Sequence, residues 1–585
     1  MLWLPPIALV ERPVNTRGDR SSTTSPMTRF FFPAVVLAGA AARPGLAQQL
    51  MSPRDSAIHA LNRIAYGPTP GQADSVARVG VMRWIETQLK QKDETSRAVA
   101  DRRRQFSDLD DSREDLARRF AEAERERRVM KQAMADSVGD GPVSRRAARD
   151  PKAGRPMREF RELGGELAQW TVVRATFADH QLAEIMTDFW LNHFNVYLNK
   201  GADRYLVPAY VEETIRPRAL GRFEDLLLAV AHSPAMLFYL DNAESVAPGS
   251  TPPVPGRRER RARYGRFGVF GHVALTDPPR IDSARAQARA RRPTGINENY
   301  ARELMELHTL GVDGGYTQDD VIAVARVLTG WSVERPANGG GFVFHDWAHD
   351  QGPKIVLGQS FPAGHGQDEG ERLLRILAQE PATMHHVSAK LCARFVSDEP
   401  SDECIDEAVA AWKRSHGEMG EVLLAIFRSP AFWSPSVVAA KVKTPLEFVV
   451  SAVRAVGGDP DSTPRLSQQV ARLGQPLFLQ PSPAGYPETQ EDWVNSGALL
   501  NRMTFATLLA AGRLPGVVAD LDHVSPPTTD YDDLVEAVNQ RCLSGRMTEH
   551  TRQVIRKQLA DVADPVEARA LAVGLALGGP EFQRQ

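Results

Sequence analysis

The sequence predicts a mainly α, multi-helix globular protein with one small β-hairpin near residues 341–358. Three observations carry that expectation. Apolar residues recur at helical spacing along most of the chain. Helix start and stop signals punctuate those runs, as at Thr317 with Asp320 and at Gly311. Only one region reads as strand: Phe342-Val343-Phe344 and Lys354-Ile355-Val356-Leu357 flank a polar turn.

The N-terminus reads as a targeting segment. A basic start at Met27-Thr28-Arg29, an apolar run over 33–42 and small residues at Gly45 and Ala47 spell a secretory signal peptide. The residues before Met27 look unlike any targeting signal, so both Met1 and Met27 stand as start codons. Residues 1–47 are thus read as extension and signal peptide, and the mature chain as exported, periplasmic or secreted. No later apolar run reaches the roughly 18 residues that span a bilayer. In an oxidising compartment Cys392 and Cys404 are candidates to pair, and the three cysteines include no C-x-x-C.

A chain of 585 residues can hold several cores. Residues 48–92 read as an N-terminal helical segment. Residues 93–160 read as a charged helical arm and linker, in which Leu116, Phe120, Ala123, Met130 and Met134 form a narrow apolar seam. Residues 161–440 read as a helical core, interrupted by an Arg-rich flexible insertion over 243–292. Residues 441–585 read as a C-terminal helical region. With 71 basic against 73 acidic residues the net charge is -2, which argues against a general nucleic-acid partner. Walker loops, dinucleotide glycine fingerprints and G-x-S-x-G elbows do not occur.

Residues 297–331, NENYARELMELHTLGVDGGYTQDDVIAVARVLTGW, hold the densest set of chemical side chains. At about 100° per residue, Asn299, Glu303 and Glu306 share one narrow arc of a helix, with His308 far around it. Glu303 and Glu306 are placed to share a metal or a proton with ligands from another segment. Glycines then turn the chain into a second helix with Thr317 as its N-cap and Asp320 as its capping-box acid. In the segment 184–196, Glu184, Asp188 and Asn192 share a polar helix face, while His193 lies among Phe189, Trp190 and Tyr197. A histidine in an aromatic face reads first as a core residue and second as a ligand or acid–base group. His345, Asp346, His349 and Asp350 crowd the turn of the expected hairpin and form the best local metal signal.

Several of these stretches occur together in one known family. Leu61-Asn62-Arg63-Ile64-Ala65-Tyr66-Gly67, Asp188-Phe189-Trp190-Leu191-Asn192-His193-Phe194, the 297–312 segment, Lys443-Thr444-Pro445-Leu446-Glu447 and the terminal Gly579-Pro580-Glu581-Phe582 follow in its order. The chain resembles the bacterial exported family catalogued as domain of unknown function 1800. The resemblance implies a mostly helical exported protein, with members often encoded beside a phosphatase- or sulfatase-like exported protein. It implies no established activity and no catalytic residue.

Two functions follow as expectations. The first is a metal-assisted hydrolase of an envelope or extracellular substrate, with His193, Glu303 and Glu306 as its catalytic set. A divalent metal would then be held by those three with His349 and Asp350. The second is a non-catalytic scaffold that binds another exported protein, in which the same charges lock helices together.

Overall fold

Buried charges and helix caps set the architecture. The computed structural model describes residues 51–90, 96–136, 155–252 and 295–585. The signal-peptide residues, the linker over 137–154 and the Arg-rich stretch over 253–294 lie outside the described residues. Met51–Gln585 clusters as one unit. Among the described residues it is dominated by helices, with three two-stranded antiparallel sheets.

At the centre lies the helix Pro445–Ala455, buried at every position. Its start is fixed by sequence: Thr444 caps the Glu447 amide, Glu447 returns the bond to the Thr444 amide, and Pro445 occupies the first helical position. The helices Arg155–Phe177 and Arg465–Arg472 pack against it. Gln181–His193, Phe223–Ala231 and Pro381–Phe395 contribute to the same hydrophobic core. Cys392 on Pro381–Phe395 is disulfide-bonded to Cys404 on Asp402–Ser415.

The charged arm resolves into separate pieces. Arg113–Asp136 is a 24-residue helix. Its N-terminal half buries Leu116, Phe120 and Ala123, as the seam predicts, while Arg125 to Val129 face solvent. No helix among the described residues is long and apolar enough to cross a membrane.

The strand-like runs are strands, but they do not pair with each other. Phe342–Phe344 pairs back with Trp331–Val333, and Lys354–Val356 pairs forward with Gln359–Phe361. The glycines explain the choice. Gly339 and Gly340 both take positive φ and return the chain between the first pair. Leu357 and Gly358, at φ 51° and 74°, make the two-residue turn of the second. Two short hairpins therefore replace the single one that the sequence suggests.

The second hairpin is anchored by a buried ion pair. Lys354 donates to Glu369 on the helix Gln367–Gln379 at 2.6 Å, and His349 Nε2 lies 3.5 Å from the same oxygen. All three side chains are 0–1% exposed. Removing one partner of such a pair strands the other charge without solvation. Glu369→Ala is therefore expected to lower the unfolding free energy by about 3–5 kcal/mol, measured by urea denaturation. A loss below about 1 kcal/mol would mean that Lys354 reaches solvent.

Candidate active-site cavity

The helix Gln181–His193 distributes its polar residues to different tasks. Trp190, Phe189 and Phe194 fill the core, and the Trp190 indole donates to the Ala219 carbonyl at 2.9 Å. Glu184 accepts from Arg174 at 2.8 Å and from Arg216 at 2.5 Å. Burial would raise this carboxyl, but the two guanidinium groups outweigh burial and hold it at about 2. Asn192 faces a proline-rich strap over 475–487: its amide donates to the Tyr486 carbonyl at 2.9 Å and accepts the Tyr486 N–H at 2.6 Å. Asn195 donates to Gln480 and Ser482 at 2.9 and 2.7 Å. Gly485 lets the strap approach, since a Cβ there would lie 2.3 Å from the Asn192 carbonyl oxygen.

Asp188, one turn from both Glu184 and Asn192, has no such task. It lines a cavity of about 70 Å³ between this helix, the strap and the helix Pro381–Phe395. That volume has room for ordered waters or a small polar group. None of the described hydrogen bonds or ion pairs engages the Asp188 carboxyl. Burial pushes its pKa up to about 7, with Glu447 and Glu488 adding to the rise against Arg394. Arg394 is held by Glu447 at 2.5 Å. Glu488 brings a second carboxyl to the wall, and its Oε2 is buried without a hydrogen-bond partner among the described residues. Lys390 lies one helical turn before Arg394. Its ammonium pKa is lowered by burial, which the Glu488 charge opposes. The cavity thus brings Asp188 and Glu488 together with Arg394 and Lys441, with Tyr486, Trp493 and Phe478 closing its apolar side.

The residues expected from sequence lie elsewhere or hold other partners. Glu303 ends the α-helix Asn299–Glu303, and the chain continues as a π-helix over Leu304–Thr309. Glu303 and Glu306 are half-buried and lie close enough to interact. Burial first, and then Glu306, raises the Glu303 carboxyl against Arg302. Arg302 itself turns to Glu298 and Gln318, at 3.4 and 3.0 Å. His308 is buried beside Phe194, Tyr300 and His193, and both its ring nitrogens lack hydrogen-bond partners among the described residues. His193 is packed among Phe189, Trp190 and Phe194, with Nε2 3.1 Å from the His308 carbonyl. Burial, and then Lys390, hold His193 neutral. No described hydrogen bond or ion pair links His193 to Glu303 or Glu306.

His349 and Asp350 are engaged in the hairpin region. His349 Nδ1 lies 2.9 Å from the Thr329 carbonyl. Asp350 takes Arg326 in a bidentate clamp at 2.7 and 3.1 Å. His193, Glu303, Glu306, His349 and Asp350 are therefore not drawn to one point. Among the described residues no group of three or more His, Cys, Asp or Glu is placed to hold a metal. Sequence reasoning passed over Lys390, Arg394 and Glu488. The signal for the first two was present: a lysine and an arginine four apart inside the apolar run Val387-Ser388-Ala389-Lys390-Leu391-Cys392-Ala393-Arg394-Phe395.

The raised Asp188 pKa has a consequence for stability. Its folded value, about 7, lies above its ordinary 3.8. Between those values the unfolded chain has released a proton that the folded chain keeps, so stability from this group falls as pH rises through the window. Asp188→Asn removes that titration. Its melting temperature relative to the parent is expected to climb steadily from about pH 5 to about pH 7, by differential scanning fluorimetry. A difference that stays flat across that range would mean an ordinary, ionised Asp188.

Comparison with known proteins gives the family and no more. No curated protein and no solved structure matches the chain. The family described as Protein of unknown function (DUF1800) matches residues 59–584. The match takes in the cavity, the strap and the helices that carry them, and the protein belongs to the DUF1800 family.

Proposed function

We propose that this protein is an exported hydrolase whose acid–base pair is Asp188 and Glu488. The observation that carries the reading is Asp188 itself, a cavity-lining carboxyl with no hydrogen-bond partner among the described residues, whose pKa is pushed up to about 7. A carboxyl that keeps its proton near neutrality is suited to protonate a leaving oxygen. Glu488, with one unpartnered oxygen and cations nearby, is suited to take a proton from water. Lys390 and Arg394 supply the positive field beside the developing charge, a role that a divalent metal would otherwise fill. This charge arrangement favours proton transfer by side chains over the metal-assisted version centred on His193, Glu303 and Glu306. Export is supported by the N-terminal signal pattern and by the Cys392–Cys404 disulfide. The substrate is accordingly an envelope or extracellular molecule with a hydrolysable C–O bond.

A second reading rests on a different surface. Leu499, Leu500 and Leu508 on the helix Ser496–Ala510 are 40%, 67% and 36% exposed, with Val494 nearby at 42%. Such a row suits a scaffold that docks on another exported protein, phosphatase- or sulfatase-like. Co-purification of such a partner that Leu500→Asp abolishes would favour it.

The hydrolase reading is tested on chromogenic glycosides and esters. Turnover is expected to survive chelation. Asp188→Asn and Glu488→Gln should each lower kcat by about 10²- to 10⁴-fold with folding intact. Asp188→Glu should restore part of the rate. Turnover by Asp188→Asn at the parent rate would sink the assignment, and loss of turnover on chelation would return the argument to a metal.

A further inference from the structure

The Asp188 cavity and a second hollow meet at one ion pair, that of Lys441 with Asp398. An open groove of about 480 Å³ lies outside it, lined by Ser397, Asp398, Glu399, Lys441, Gln490 and Glu491. Lys441 lines both spaces. Two chain segments pass from one to the other beside it: Ala440 faces the groove and Val442 the cavity, while Thr489 faces the groove and Glu488 the cavity.

Asp398 fastens both segments. One of its oxygens takes the Lys441 ammonium, and the other accepts the Gln490 backbone N–H at 3.0 Å. The Lys441 side chain is 6% exposed and that of Asp398 21%, so the pair sits at the boundary between buried and open space. Two residues before Lys441, Ala439 takes φ 53°, a left-handed backbone that costs a non-glycine residue energy. The backbone on the other side of Ala439 is paired with the chain end, Lys441 with Gln585 and Lys443 with Gln583, so what can swing aside is the Lys441 side chain once Asp398 releases it.

We propose that the Lys441–Asp398 pair is a gate through which the reacting group of a substrate passes from the outer groove to Asp188. The bulk of the substrate then stays in the groove, and only the scissile group enters the small inner cavity. The inference rests on the reading of Asp188 as the protonated acid, and the two can fail separately.

The probe is a water-soluble carbodiimide with glycinamide as the trapping amine, applied to the full protein at about pH 6. At that pH Asp188 holds its proton while ordinary carboxyls are largely ionised. Labelling of each carboxyl is followed by peptide mass spectrometry in the parent, Lys441→Ala and Asp398→Ala. The second variant keeps the test decisive if the first fails to fold. Both variants are expected to label Asp188 at least about fivefold faster than the parent, with Glu399 and Glu491 in the groove unchanged. Asp188 labelled at the parent rate in both variants, or unlabelled in all three, overturns the gate. A labelling rate that falls near pH 4 instead of near pH 7 removes the acid reading, while faster labelling in the variants would still support the gate.

Discussion

Burying the helix Pro445–Ala455 on all sides is the constraint on which the other elements depend. Most of that helix is apolar, but Glu447 and Arg454 enter the interior with it. A charge taken out of water must find partners there or be neutralised. Arg454 donates to the Gly67 carbonyl at 3.0 Å, to the Thr176 carbonyl at 2.6 Å and to the Gln72 side chain at 3.2 Å. Glu447 takes Arg394 at 2.5 Å and the Gln585 amide at 3.0 Å. One helix thus binds the start of the described chain, the end of the helix Arg155–Phe177, the helix Pro381–Phe395 and the last residue. Solvating its two charges fixes where those segments must lie.

The same constraint produces the chemistry of the cavity. Arg394 is shared among Glu447, Glu488 and Asp188, and Glu447 has the closest hold. Burial acts to raise the Glu447 carboxyl, but Arg394 and the capping bonds bring it down to about 2. Asp188 lies in the same cavity with no ion pair among the described residues, and burial pushes it to about 7 against Arg394. Two carboxyls lining one small space are therefore driven apart because a single guanidinium cannot serve both equally. That separation leaves Glu447 fixed as the ionised partner of Arg394 and Asp188 as the carboxyl that keeps its proton, the state a general acid needs.

The sequence was most legible where the physics is local. The capping box at Thr317 and Asp320 is read from four residues and is present in the structure. The glycine stop at Gly311 and the aromatic surroundings of His193 are equally local. The strand pairing was harder, because Phe342–Phe344 could have closed on a partner to either side, and the Leu357-Gly358 turn decided it. The π-helix at Leu304–Thr309 has no simple signature in residue spacing. The cavity was least legible. Asp188 could be placed on a polar face, but its lack of a partner depends on Arg174 and Arg216 taking Glu184 and on the strap taking Asn192. Those choices are made by residues from 10 to 294 positions away in the chain.

The cavity's walls differ in how firmly they are held, and that difference bears on how a site here would work. The Asp188 and Arg394 side stands on helices packed into the core, with Pro381–Phe395 further fixed to its neighbour through Cys392. The opposite side is the strap, which packs Leu477, Phe478 and Leu479 only partly buried against the core and is also held by hydrogen bonds from Asn192 and Asn195. Hydrogen bonds contribute less per contact than core packing and open at lower cost. Proton-transfer groups need fixed geometry, whereas entry and release need a wall that yields. Asp188 and Arg394 sit on the rigid side, while Glu488 is carried at the end of the yielding one. Movement of the strap would therefore change the distance between the two carboxyls as well as access to them, coupling entry to assembly of the pair.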